Sequence, residues 1–346
     1  MNRIARKTTF AALFAAAAVA GGGAAVAQEA VLKLHHFVPA GAPPNARFLK
    51  PWADKVMADS KGRIKVEVYP AMGLGGKPPE LVNQVRDGIV DIIWTIHGFT
   101  PGRFPMTEVF ELPFINADPV TMAKAMMEMY PTHLKDEYKD YHVLGLWSHA
   151  GQLLHSNKAV RKVEDFKGLT VRTSGLGGTL FLEAIGATPI QASITEAASL
   201  LSKGVVDAVL LPYEIVPAYK LHELTKFHVT LEGGRRFQVQ TFMFAMNRAR
   251  YDKLPADLKK VIDDNSGSAM AQRAGQLWID VEGPGEKMAR DRGNEIIALS
   301  KADSDRVEQQ SRVAVERWIA GAKAKGIDGQ ATVTAARAAI AKNRGN

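Results

Sequence analysis

Arg172 is the side chain in this sequence best placed to do chemistry. It follows the apolar run Leu169-Thr170-Val171 and precedes Thr173-Ser174-Gly175, where a helix is expected to begin. In open α/β sheets ligands gather outside the carboxyl ends of strands. A guanidinium at such a place is a planar, two-pronged donor matched to a carboxylate, and the amides of the next helix add to the same field. A salt bridge on the surface or between lobes would use the residue equally well. Position alone leaves both uses open.

The other candidate motifs fail on spacing. Gly73-Leu74-Gly75-Gly76-Lys77 is followed by Pro78-Pro79 where a phosphate loop needs Ser or Thr. Gly175-Leu176-Gly177-Gly178 lacks the last glycine of a dinucleotide fingerprint. His35-His36 and the trio His142, His149 and His155 lack neighbouring acidic ligands at metal spacing, and His222-Glu223 lacks a second histidine. Ser148 and Ser174 have no nucleophile-elbow glycines. With no cysteine in the chain, disulfides, thiolate metal sites and a cysteine nucleophile are ruled out. No metal or cofactor is expected, and the sequence, without excluding an enzyme, offers no catalytic arrangement.

An internal echo indicates the scaffold. Gly88-Ile89-Val90-Asp91-Ile92-Ile93 recurs as Gly204-Val205-Val206-Asp207-Ala208-Val209, each after an amphipathic run (80–87 and 195–203). A glycine that closes a helix followed by apolar, β-branched residues reads as entry into a strand buried on both faces. Two such units predict two similar α/β lobes with a cleft between them, a place to hold a small molecule. Strands are predicted over 31–37, 64–69, 89–94, 141–147, 169–172, 187–190 and 205–211, and one long strand over 237–247 that returns across both lobes. Helices are predicted from residue 45 and over 120–130, 177–185, 256–276, 303–324 and 332–342. Another passes through Ala289, and Gly283-Pro284-Gly285 should bend or interrupt it. The polar stretch 157–166 reads as a crossing between lobes. The fold class is therefore α/β and two-lobed, with discontinuous lobes, hinge strands and a helical C-terminal region. The lobes are placed at 28–149 with 240–278, and at 150–239 with 279–346.

Residues 1–27 read as a signal peptide: Arg3, Arg6 and Lys7, then the apolar stretch 10–20, then Ala25-Val26-Ala27 for cleavage. That stretch is shorter than the roughly 20 residues needed to span a bilayer. A periplasmic product without a lipid anchor is expected. Three of the 44 basic residues fall in that segment, so the net charge of +8 becomes +5 for the remainder. The basic residues are scattered, with Arg235-Arg236 and Lys259-Lys260 the notable doublets, which argues against nucleic acid and mildly favours anions.

Several segments, in order and spacing, resemble the solute-receptor subunits of tripartite ATP-independent periplasmic (TRAP) transporters. They are Ala71-Met72-Gly73-Leu74-Gly75, the run 81–91, Phe110-Glu111-Leu112-Pro113-Phe114, the run 165–172, and the runs 196–207, 247–257 and 294–326. The resemblance implies capture of an organic acid anion by hinge closure. Delivery to a membrane permease of one small and one large subunit would follow, driven by an ion gradient. Presentation to a membrane sensor, or a secreted enzyme on the same scaffold, are the alternatives. Arg172 matches the family's carboxylate-binding arginine. Where sialic-acid receptors carry a second arginine this chain has Gln152, and the family's Asn-Pro step is Leu211-Pro212-Tyr213. Both changes remove polar reach, pointing away from sialic acid or a simple dicarboxylate and toward one carboxylate on a less polar body. The expected contacts are Arg172 on the carboxylate, Gln152 on it or on a neighbouring hydroxyl, Thr173 at the helix entry, and Leu211 with the aromatics Trp94, Phe37 and Tyr213 on an aromatic body. Those aromatics would serve equally as core. Arg103, in a loop facing the cleft, is either a second anion contact or a helix cap.

Overall fold

The computed structural model describes residues 28–345; the expected signal segment 1–27 lies outside the described residues. Two mixed sheets form the framework. The first contains β1 (Ala30–His36), β2 (Ile64–Tyr69), β3 (Ile92–Ile96), β4 (Tyr141–Ser148) and β10 (Thr241–Asn247), in the order β2-β1-β3-β10-β4. The second contains β5 (Leu153–Ser156), β6 (Thr170–Thr173), β7 (Thr188–Gln191), β8 (Ala208–Leu211), β9 (Phe227–Thr230) and β11 (Glu295–Ala298), in the order β11-β9-β5-β8-β6-β7. Each sheet has one strand antiparallel to both neighbours, β10 in the first and β5 in the second.

The echoed segments do the same work in both lobes. Gly88 and Gly204 have φ of 73° and 67°, the left-handed turn that ends each helix. Asp91 accepts a hydrogen bond from the Lys33 amide (2.8 Å), and its own amide donates to the Lys33 carbonyl (3.1 Å). Asp207 repeats the pair with Thr170, at 3.0 and 2.8 Å. Each aspartate thus ties the start of one buried strand to its parallel neighbour. The strands begin later than the apolar run suggests. Ile89 and Val205 are 62% and 50% exposed, because the chain must first leave the helix end through the glycine turn.

The crossing between lobes also differs from expectation. Residues 157–166 are not the link; Val160, Val163 and Phe166 are buried in the core of the second lobe. The link is the short stretch between β4 and β5, paired with the stretch before β10. The Gln152 amide donates to the Gln238 carbonyl (2.7 Å), and the Phe237 amide donates back to the Gln152 carbonyl (3.1 Å). The predicted strand over 237–247 therefore divides: its first part is this hinge ladder, and Thr241–Asn247 alone joins the first sheet.

Helical expectations hold with local changes. The predicted helix over 256–276 is two helices, Ala256–Asp264 and Gly267–Asp280, separated by Asn265 and Ser266, with Gly267 at φ 78°. Gly283-Pro284-Gly285 interrupts nothing. It lies in the first turn of Glu282–Asp291, where proline lacks only an amide that needs no partner, and the break falls at Val281. The helix Lys301–Ala324 buries Val307 in the second-lobe core and Trp318 in the larger one. The closing helix Gly329–Asn343, grouped with the second lobe in the sequence reading, packs on Pro119–Met129 of the first. Among the described residues no helix is long and apolar enough to cross a membrane.

The lobes touch each other. A Cβ built on Gly175 would lie 3.0 Å from the Gly98 Cα, so backbone meets backbone across the cleft.

Candidate ligand-binding site

β6 delivers Arg172 into the space between the lobes. Alternation along Thr170–Thr173 and parallel partners on both sides, β7 and β8, fix which way its side chain points. The residue is fully buried. Nε and Nη2 donate to the Ala192 carbonyl at 3.0 and 2.7 Å, which orients the guanidinium plane. Nη1 has no partner, and Arg172 forms no ion pair among the described residues. Burial pushes its pKa down to about 10, which leaves it charged at neutral pH. An unpaired buried charge is costly, so a site that keeps one is prepared for an anion.

The surroundings of that charge are apolar and aromatic. Phe37 and Val38 after β1, Trp94 and Ile96 on β3, and Phe242 on β10 form the first-lobe wall. Ile194, Leu211, Pro212 and Ile215 form the second-lobe wall. Phe37 stacks on Trp94 with centroids 4.9 Å apart and planes 9° from parallel, and the Phe242 ring, tilted by 33°, has its centroid 4.9 Å from that of Trp94. The polar lining residues are Arg172, Glu214, His149 and Gln240. Burial holds His149 neutral, its pKa pushed down to about 3. The Gln240 amide group donates to the Ser174 carbonyl and hydroxyl, both at 2.6 Å. Arg172 is thus the cation that a guest in this chamber meets.

The chamber is contracted, with a cavity volume of about 20 Å³. That is room for about one water, whereas a cavity that takes benzene measures ~150 Å³. Beside it a wider groove of about 350 Å³ opens between Lys77, Pro78 and Phe99 of the first lobe and Ala192, Ser193 and Glu196 of the second. Ala192, which holds the guanidinium, also lines this groove.

Of the residues singled out in the sequence, Arg172, Trp94, Phe37 and Leu211 line the chamber. Four others do not. Gln152 is buried in the hinge, its Oε1 accepting from the Gln238 side chain at 2.8 Å. Thr173 is buried behind the Gly175–Ala184 helix, against Gly178. Tyr213 faces away, under the Arg236 guanidinium (5.1 Å) and beside His155 (5.5 Å). Arg103 donates to the Tyr141 hydroxyl at 3.2 Å, outside the chamber. Sequence reasoning missed Glu214, Gln240, His149 and Phe242. A lone acid within the apolar run 209–216 was the available signal for Glu214.

Two α/β lobes that share one buried, unpaired guanidinium in an apolar cleft define a receptor for a small organic anion. The profile of the bacterial extracellular solute-binding proteins, family 7, matches residues 34–321, and the chain belongs to that family. Solved TRAP solute-binding proteins are similar to it over nearly their whole length. One, from an unidentified microbe of a marine metagenome, is specific for aromatic acid ligands and was crystallised with 3-hydroxybenzoate. It is 45% identical, with a TM-score of 0.90, over 92% of this chain and 100% of that one. Another, from Rhodoferax ferrireducens, holds copurified benzoate; it is 39% identical, TM-score 0.88, over 90% and 98%. A third, from Bordetella bronchiseptica, has bound (R)- and (S)-mandelate; it is 28% identical, TM-score 0.81, over 90% and 99%. This chain is a TRAP solute-binding protein.

Proposed function

We propose that the protein captures an aromatic monocarboxylate in the periplasm and delivers it to the two-subunit membrane permease of a TRAP transporter. The observation that carries this reading is the free Nη1 of Arg172 inside a chamber walled by Phe37, Trp94 and Phe242. One carboxylate neutralises the guanidinium, and the aromatic body replaces water against aromatic and aliphatic walls. A second carboxylate would find no cation there. The neighbours with benzoate, hydroxybenzoate and mandelate support the class of ligand.

Capture requires motion, because a cavity of about 20 Å³ cannot admit a ring. The lobes part at the paired hinge stretches around Gln152 and Gln238, the acid enters by the groove, and closure buries it. The ligand stabilises the closed state by contacting both lobes at once. In this reading the moving bodies are 28–149 with 240–278, joined by the closing helix, and 150–239 with the rest of the C-terminal region. The protein acts without turnover, as a receptor. The pattern of residues 1–27 supports export.

Calorimetric titration of the purified chain, lacking residues 1–27, with benzoate, 3-hydroxybenzoate, mandelate and succinate tests the proposal. Tight one-to-one binding of at least one aromatic acid, recovered unchanged, is expected. Preference for succinate over every aromatic acid would overturn it.

A further inference from the structure

Glu214 is a second unpartnered polar group in the chamber, and the capture of an aromatic acid proposed above leaves it without a task. We infer that Glu214 recognises a hydroxyl on the ring of the bound acid, its carboxyl exchanging a hydrogen bond with that hydroxyl while Arg172 holds the carboxylate. The inference rests on that proposed capture.

The placement is set by the backbone. Pro212 ends the extended run after β8, and Tyr213–Ile215 forms a single 3-10 turn. The turn sends Tyr213 toward Arg236 and Glu214 into the chamber. The Glu214 amide is fixed by the Glu282 carboxylate at 2.9 Å. The side chain is nearly fully buried, and Oε2 has no hydrogen-bond partner among the described residues. The indole of Trp278 lies near it without closing a hydrogen bond, since its Nε1 is also unpartnered.

Charge bookkeeping determines the form of the acid. Glu214 and Glu282 are neighbours, and one guanidinium, that of Arg236, pairs with Glu282 at 3.1 Å. Glu214 forms no ion pair among the described residues, and burial pushes its pKa up to about 8. A neutral carboxyl both donates and accepts, which suits a phenol or alcohol. It would not repel a ligand whose single negative charge belongs to Arg172. A carboxyl kept in an apolar chamber with an idle oxygen discriminates by what it lacks, since a ligand without a hydroxyl leaves it unsatisfied.

The test is a set of Kd values for benzoate, 3-chlorobenzoate, 3-hydroxybenzoate and 4-hydroxybenzoate, measured calorimetrically on the wild-type chain and on Glu214→Gln, Glu214→Leu and Glu214→Ala. The quantity read is the affinity ratio of each hydroxylated acid to benzoate. In the wild type at least one hydroxybenzoate should bind about tenfold tighter than benzoate, the order expected of one buried hydrogen bond. The chlorinated acid, similar in size, should show no such gain. The ratio should fall toward one in Glu214→Leu and Glu214→Ala, two variants so that one folded protein suffices. It should survive largely in Glu214→Gln, whose amide still donates and accepts. An unchanged ratio in the apolar variants, or no hydroxyl preference in the wild type, overturns the role of Glu214 while leaving aromatic-acid capture standing. Failure of the wild type to bind any of the four acids overturns both.

Discussion

Gly177, at the start of the Gly175–Ala184 helix, lies against the backbone carbonyl of Glu111 in the other lobe; a Cβ on Gly177 would stand 2.2 Å from that oxygen. The residue is glycine because the lobes meet there, not because of its backbone angles. Gly177→Ala should therefore hold the lobes apart and leave each intact. The expected outcome is a larger radius of gyration in the presence of ligand, by small-angle scattering, and an affinity reduced by tenfold or more. A closed, wild-type-sized complex in that variant would show that this contact does not gate closure.

Arg172 links affinity and stability in opposite directions. Arg172→Ala should weaken binding of the aromatic acid by about 2–5 kcal/mol, the range for losing one partner of a buried charge pair. Arg172→Met should bind as poorly, yet the ligand-free protein should resist denaturant at least as well as the wild type, because a buried charge without a counterion has been removed. Calorimetry and urea unfolding check the two halves separately.

Glu111 makes stability depend on pH. It is fully buried between the lobes, and burial pushes its pKa up to about 8 although Thr241 donates to it through both amide and hydroxyl at 2.9 Å. Between its ordinary value and 8 the folded state holds a proton that the unfolded state has released. The stabilisation is thus complete below the ordinary carboxyl range and is lost as pH rises to about 8. Glu111→Gln should flatten the fall in unfolding free energy between pH 5 and 8. Parallel curves for variant and wild type would contradict this.

The repeated aspartates give a comparison inside one molecule. Asp91 and Asp207 each tie two parallel strands together, and each is further paired with a base, Arg250 (3.2 Å) and Lys158 (2.7 Å) respectively. Asp91→Ala and Asp207→Ala should each lower unfolding stability by about 1–3 kcal/mol, the cost of leaving a strand amide without its acceptor. Neither should change ligand affinity more than a few-fold, because both carboxylates are occupied by strand amides and neither residue lines the chamber. Chemical denaturation and calorimetry distinguish the two effects.

The architecture was legible wherever local chemistry alone decided it. Glycines that must turn left-handed ended the helices, and alternation in 64–69 matched Ile64–Tyr69 at both ends. The short strands β5, β9 and β11 were not, because polar residues (His155 and Ser156, His228 and Thr230, Glu295) break up the apolar run that marks β8. In the site, Arg172 and Trp94 were readable because regular strands fix which way they point. Tyr213, expected in the cleft, turns away and Glu214 stands there instead, since an irregular turn after Pro212 decides which neighbour faces the cleft. Gln152 was drawn into the hinge by Gln238, a partner distant in sequence that no local pattern announces.

The exchange of strands between the sheets reaches beyond binding. β10 completes the first sheet between β3 and β4, yet it is made only after the whole of β5 to β9. A growing chain therefore carries two naked strand edges in its first half until residue 241 arrives, and a fragment ending at 149 should clump rather than settle. Late completion of this kind keeps the first half of the polypeptide pliable, and lets the sheet lock only once residue 241 has been made.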